Sequence, residues 1–347
     1  MPLPPLKCVL TAAGCPGAST LIRMLKENGE REIAIHGVDM YADASGRFLC
    51  DSFCVVPSGA SPDYIAALTE VVERERPDVL LVQSSSEIEA VARHRDVLAQ
   101  HGARVLADGL RGIEIAANKA LTHAACSGIP VPQPRMMLPA TLDDFVAGAR
   151  ELGYPDVPVC FKPPVAKGSR GFRVLSAQSD RAHALLHEKP INRYMTLDDF
   201  VEVFRDREAF PELMLMEYVD APEITVDLFA DKGEVIFHQT RTREDFETGL
   251  AMAFRTVDQP DLVELTRDVV RHLGLDYYQS VQWIGGKLLE INPRVSTFVY
   301  QEDFILPYLG IKYALGEVAV ADAPGIQARV RTSRRSLRYY DQVFWDE

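Results

Sequence analysis

Short apolar runs alternate with longer amphipathic stretches over the first third of the chain. Lys7–Thr11 reads as a strand, Ser19–Asn28 as a helix, Ile33–Asp39 as a second strand and Cys54–Val56 as a short third. A helix over Pro62–Glu75, a strand over Asp78–Gln83, a helix over Glu87–His101 and a strand at Arg104–Leu106 continue the alternation. Strands separated by helical segments of about 10–15 residues predict a parallel, doubly wound sheet.

The pattern changes after residue 111. Asn118 opens a helix, and Gly128-Ile129-Pro130-Val131-Pro132 ends it. From 158 onward, strands follow one another more closely, at Val159–Lys162, Phe172–Leu175, Leu213–Tyr218, Ile224–Ala230, Val235–Thr240, Tyr278–Ile284 and Lys287–Ile291. The expected architecture is therefore α/β followed by α+β. An N-terminal parallel-sheet domain spans 1–111 and a two-lobed domain spans 112–310. The latter divides into a helical connecting stretch at 112–157, a small lobe at 158–220 and a large lobe at 221–310. Residues 311–347 form a C-terminal segment with a helical piece and then an arginine-rich run, Arg329–Arg338, expected to make local salt bridges.

The sharpest chemical signal is Leu288-Leu289-Glu290-Ile291-Asn292-Pro293-Arg294. Strand alternation points Glu290, Asn292 and Arg294 to one face. A carboxylate and an amide beside a guanidinium suit a divalent cation on a triphosphate and a phosphoryl group in transfer. Gln282 lies eight residues earlier, across Gly285-Gly286. That spacing predicts a hairpin, with Gln282 beside Glu290 as a further oxygen donor.

Upstream, Lys162-Pro163-Pro164-Val165-Ala166-Lys167-Gly168-Ser169-Arg170-Gly171-Phe172 carries a lysine from a strand into a small-residue loop. Such a loop folds over phosphates, or is simply a hairpin turn with solvated basic residues. Met214-Leu215-Met216-Glu217-Tyr218-Val219 ends an apolar strand where backbone groups of Tyr218 and Val219 can meet an adenine edge, with Glu217 near its amino group. Glu223 and Asp227 follow with shared strand parity. Lys119, at a helix start, can reach a phosphate. Arg241 and Arg243 follow a strand and can hold a substrate carboxylate or a γ-phosphate, or sit exposed on a mobile loop. The turn Ala12-Ala13-Gly14-Cys15-Pro16-Gly17-Ala18-Ser19 is a tight connection or a ligand contact. Pro16 interrupts a dinucleotide glycine pattern, although Asp39 stands where a ribose-binding acid would. His183 and His187 are spaced for one helix face but lack a third zinc ligand.

Bulk properties narrow the function. The formal charge of −13 argues against a nucleic-acid binder. No apolar run approaches the roughly 20 residues of a membrane span, and the first residues do not read as a signal peptide. Six dispersed cysteines without a CxxC pattern imply reduced thiols and a cytoplasmic setting.

Taken in order, the segments at 118–132, 162–171, 217–219, 281–283 and 290–294 resemble the ATP-grasp superfamily, nearest to the carbamoyl-phosphate-synthase large-subunit type. The resemblance runs over roughly residues 7–310. It implies a pre-ATP-grasp domain at the N-terminus and ATP held between two α+β lobes. It further implies Mg²⁺, or Mn²⁺ in its place, on Gln282, Glu290 and Asn292. Lys119 and Lys162 would contact phosphates, with Gly168, Ser169 and Gly171 in the phosphate loop. Glu217, Tyr218 and Val219 would form the adenine hinge, with Glu223 also assigned to the nucleotide. Arg294 would stabilise the transferred group. The activity implied is a carboxylate–amine ligation through an acyl phosphate, with Lys162, Arg294 and Arg243 as the catalytic cations. The partners are then a small-molecule carboxylate and amine, and a homodimer is expected from the resemblance. An acyl or carbamate kinase, a non-catalytic ATP-binding module and a dinucleotide oxidoreductase are the alternatives.

Overall fold

A computed structural model of the chain describes residues 3–166, 170–180, 182–183, 186, 193–247, 250–295 and 298–346. Among these residues the strands form three sheets. The first contains β1 (Leu6–Leu10), β2 (Ile33–Asp39), β3 (Ser52–Val55), β4 (Val79–Leu81) and β5 (Arg104–Leu106), all parallel, in the order β3-β2-β1-β4-β5. Its central strands β1, β2 and β4 are near-continuous apolar runs and largely buried, as a doubly wound sheet requires, whereas the edge strand β3 is partly exposed. The order in which strands are laid down reverses between β1 and β4. There the turn after β1 and the loop after β4 lie side by side, joined by the Thr11 hydroxyl donating to Glu87 (2.7 Å). The helix expected over Glu87–His101 is two shorter ones, Ile88–Arg93 and Arg95–Ala99, broken at His94.

The second sheet contains β6 (Met136–Met137), β7 (Val159–Lys162), β8 (Arg173–Leu175), β9 (Tyr194–Met195) and β10 (Met214–Glu217), in the order β6-β10-β7-β8-β9. Period-two alternation gives it two apolar faces of different use. Val159, Phe161, Leu175 and Leu215 pack on Phe145 and Phe200, whose rings stack at 3.9 Å, in a core of their own. Cys160, Val174, Met214 and Met216 face the other way with Ala120.

The third sheet is antiparallel. It contains β11 (Glu223–Asp231), β12 (Glu234–Glu247), β13 (Leu250–Arg255), β14 (Tyr277–Ile284), β15 (Lys287–Asn292) and β16 (Arg335–Leu337), in the order β15-β14-β11-β12-β13-β16. Its Val226, Leu228, Val281, Trp283, Leu288 and Ile291 pack on the helix Pro260–Leu273. The helix Leu306–Ala314 fills the space between the first and third sheets, so Leu10, Leu21 and Ile35 share one core with Phe229, Tyr278 and Leu309. Two sequence expectations change here. Arg241 and Arg243 lie inside β12, which runs well past Thr240, because β11 pairs with it as far as Arg243 and β13 takes over from Glu244. The arginine-rich run supplies β16 instead of a purely local cluster.

Candidate functional site

The polar face of the third sheet is where the predicted residues converge. Register alone sets the list: Glu223 opposes Arg243 and Thr225 opposes Arg241 across β11 and β12, while Thr225 and Asp227 oppose Gln282 and Ser280 across β11 and β14. Gln282 in turn opposes Glu290, and Ser280 opposes Asn292. The hairpin is the one the spacing predicts. Gly285 and Gly286 turn it with φ of 55° and 75°, angles that a side chain disfavours.

Glu290 is the electrostatic centre. Its Oε2 lies 3.4 Å from Lys119 Nζ and 3.7 Å from Lys162 Nζ, and its Oε1 accepts from Asn292 Nδ2 at 3.3 Å. Burial alone would raise the carboxyl. The cations Lys162, Lys119 and Arg243 overcome that and bring it down to about 2. Burial pulls Lys162 below its ordinary range; Glu290 opposes that and Lys119 adds to it. Asn118 holds Lys119 in position, since its side chain caps the helix Lys119–Cys126 by accepting from Ala120 and Leu121 N–H. Lys119 Nζ also donates to the carbonyl of Ala166 (3.2 Å), tying this helix to the start of the small-residue loop. Gly171 at the loop's far end has φ of 74°. Gly168 and Ser169, like Lys167 and His187, lie outside the described residues.

Arg243 Nη1 donates to Glu223 (2.5 Å) and to Gln282 Oε1 (2.8 Å), which joins both strands flanking β11. Arg241 is engaged differently. Its Nε and Nη2 donate to the fully buried Asp227 at 2.6 and 3.2 Å, and Ser280 Oγ donates to the same carboxylate at 2.6 Å. That pairing makes Arg241 a structural residue first. Arg294 lies beyond β15, not on it. Its Nε donates to Ser85 Oγ (2.8 Å) in the loop after β4, and Cys15 in the turn after β1 is an electrostatic neighbour. Thus Arg294 links the metal-type strand to the reversal point of the first sheet, which is where open parallel sheets bind ligands.

Glu217 ends β10, but its carboxylate is taken up by Lys287 and by Arg135 N–H at 3.1 Å. Burial would raise it; Lys287 and Arg135 bring it lower. Contact with an adenine amino group therefore has to compete with these partners. Tyr218 adjoins the apolar face of Cys160, Val174, Met214 and Met216, and Val219 follows it. Asp39 is engaged in holding its own turn, accepting from Gly14 and Tyr41 N–H at 2.9 and 3.0 Å. Ser85, Lys287 and the apolar face of β7 and β10 escaped sequence reasoning. The alternation in Val159–Lys162 and Met214–Glu217 carried the signal for the last of these.

A family model described as "ATP-grasp in the biosynthetic pathway with Ter operon" matches residues 209–335. The arginine-specific carbamoyl phosphate synthase large chain of Eremothecium gossypii is 26% identical over 323 residues, covering 86% of this chain and 27% of its own length. The carbamoyl phosphate synthase large chain of Sulfolobus acidocaldarius is 23% identical over 336 residues, covering 90% of this chain and 30% of its own. The biotin carboxylase domain of Hydrogenobacter thermophilus 2-oxoglutarate carboxylase, solved with MgADP and bicarbonate, superposes with a TM-score of 0.66 at 16% identity, over 95% of this chain and 73% of that one. The chain thus matches an ATP-grasp family model over residues 209–335 and is similar over most of its length to carbamoyl phosphate synthase large chains. It spans less than a third of the length of those synthase relatives. Among the described residues, no helix is long and apolar enough to cross a membrane.

Proposed function

We propose that the chain is an ATP-dependent, ADP-forming carboxylate–amine ligase. The observation that carries this reading is Glu290 held by Lys119 and Lys162, with Gln282 and Asn292 in register beside it. The donors fit a hard divalent cation: a carboxylate held ionised and two amide side chains with oxygens. Mg²⁺ on Glu290, Asn292 and Gln282 would neutralise charge on the phosphoryl group.

The chain's own residues supply the rest. Lys119 and Lys162 hold the triphosphate, Lys162 with a strengthened field because it is buried. The face of Cys160, Val174, Met214 and Met216, closed by Tyr218 and Val219, takes the base. Arg243 and Arg294 orient the acceptor carboxylate and stabilise the phosphoryl group in transfer to it. An acyl phosphate then forms, and an amine expels phosphate. Positioning and electrostatics account for this chemistry without a protein nucleophile.

The test is ADP release from MgATP by the purified chain, screened against pairs of carboxylic acids and amines. ADP dependent on both an acid and an amine establishes the ligase. ADP with an acid alone reassigns the protein as an acyl kinase. Failure to bind ATP overturns the reading.

A further inference from the structure

A thiol, an imidazole, a carboxylate and a guanidinium meet at the edge of the first sheet, with no residue in common with the polar face of the third. Parallel register sets Ser52 beside His36 and Cys54 beside Val38, so the two residues of β3 lie on one face with His36. His36 Nε2 stands 3.3 Å from Cys54 Sγ. Its Nδ1 stands 2.7 Å from Ser52 Oγ and 3.6 Å from a carboxylate oxygen of Glu75. Glu75 and Arg74 end the helix Tyr64–Glu75. Arg74 Nε donates to Glu75 at 2.9 Å, and its Nη2 donates to Cys54 Sγ at 3.8 Å.

These contacts assign roles. The hydrogen bond from Arg74 holds the Glu75 carboxyl below its ordinary range, so Glu75 is ionised at neutral pH and can only accept. The proton of the neutral imidazole therefore belongs on Nδ1, and Nε2 presents its lone pair to the thiol. Burial lowers the pKa of His36; Glu75 opposes that, while Arg74 and Lys7 of β1 add to it. The ring is thus neutral at pH 7 and free to take a proton. Burial pushes the thiols of Cys50 and Cys126 up to about 11 and that of Cys160 up to about 12, and raises Cys8 and Cys15 as well. Those five are poor nucleophiles at neutral pH. Cys54 is half-buried, on the edge strand.

We propose that Cys54 is a peroxide-reactive thiol, with His36 as its base and Arg74 as the cation beside the sulfur. His36 Nε2 takes the thiol proton, and the sulfur electron pair attacks one oxygen of hydrogen peroxide. The S–O bond forms as the O–O bond breaks, and the departing hydroxide takes the proton back from His36 and leaves as water. Cysteine is oxidised to sulfenic acid while the peroxide is reduced to water. Arg74 stabilises the negative charge on sulfur before the attack. A small oxidant suits the place, because Cys54 also packs against the buried cluster that includes Val38, Tyr64 and Val72. The inference stands apart from the ligase reading, since none of these residues belongs to the candidate site.

The test exposes the full chain at pH 7 to hydrogen peroxide with dimedone, which traps sulfenic acid, and follows each cysteine-containing peptide by mass spectrometry. Cys54 should label at least about tenfold faster than Cys50 or Cys126, which serve as internal references. His36→Gln keeps a hydrogen-bonding side chain that cannot take the proton, and should slow Cys54 about tenfold or more relative to those references. Arg74→Gln should slow it too, and Arg74→Lys should recover part of the rate. A variant that loses its fold would expose the buried thiols and raise the reference rates, whereas the comparison of cysteines within wild type needs no variant. Cys54 labelling no faster than Cys50 in wild type overturns the proposal, as does an unchanged Cys54 rate in His36→Gln.

Discussion

Replacing Glu290 with glutamine removes one charge at the point where two lysines converge, and the structure fixes what should follow. The carboxyl is held at about 2 against an ordinary 4.5, with lysine ammonium groups at 3.4 and 3.7 Å. That difference corresponds to about 3 kcal/mol of native-state stability at neutral pH. Because the folded value is the lower one, the contribution is full above pH 4.5 and is lost as pH falls toward 2. Urea unfolding of Glu290→Gln should therefore show a deficit of about 3 kcal/mol at pH 7, shrinking to about 1 kcal/mol at pH 3. A deficit below about 1 kcal/mol at pH 7 would refute the reasoning.

The same substitution separates a structural from a nucleotide-binding role. Without Glu290, Lys119 and Lys162 no longer have a competing carboxylate. ATP measured in the presence of a chelator should then bind the variant at least as tightly as wild type. Addition of Mg²⁺ should strengthen binding in wild type and do little in the variant. Weaker binding by the variant in chelator would mean that the lysines do not serve the triphosphate.

Further outcomes follow from other parts of the structure. Asp227→Asn strands the buried guanidinium of Arg241 and should cost about 3–5 kcal/mol by urea unfolding; a loss under about 1 kcal/mol would return Arg241 to the candidate substrate-binding groups. Gly46→Ala places a Cβ 2.4 Å from Ala13 Cβ and 2.5 Å from Ala13 O, so the turn after β1 must shift, at about 1–3 kcal/mol in thermal melting; an unchanged melting temperature would contradict that packing. Burial holds His238 neutral, with its pKa lowered from 6.5 to about 4. Stability is then full above pH 6.5 and should fall by about 2 kcal/mol by pH 5, and His238→Gln should flatten that part of the urea-midpoint profile.

Legibility in the sequence followed the range over which each signal acts. Local alternation was enough for β1, β2 and the strands flanking Gly285-Gly286, where a two-residue turn fixes the register. It also brought Gln282 next to Glu290. Alternation fails for Arg241 and Arg243, because charged residues in a strand read as loop until β11 is known to pair with them. β16 was hidden for the same reason at greater distance. Its residues Arg335–Leu337 pair with Ala253–Arg255, far back along the chain, and no local pattern encodes that pairing. The capping boxes Thr141–Asp144 and Thr196–Asp199 start two helices that the pattern reading passed over, although the signal for each is local.

The charge pairs across the polar sheet face explain why nucleotide and metal should act together. A polar face turned toward another lobe is costly unless its charges are matched. Glu290 with two lysines, Asp227 with Arg241 and Glu223 with Arg243 match them from within the chain. On the proposed reading, a triphosphate arriving at Lys119 and Lys162 would have to replace their contacts with Glu290, because the same ammonium groups would serve both. The carboxylate so released would then need a cation, and the proposed donors beside it are the oxygens of Asn292 and Gln282. Metal without nucleotide would face two lysines at close range, and nucleotide without metal would leave a buried carboxylate bare. Each ligand therefore restores the balance that the other disturbs, which is a coupling free energy between them. Its location also follows from the packing. The first and third sheets share a core, whereas the second has its own around Phe145 and Phe200. A shift of the second sheet toward the third therefore carries Lys162 without breaking either core.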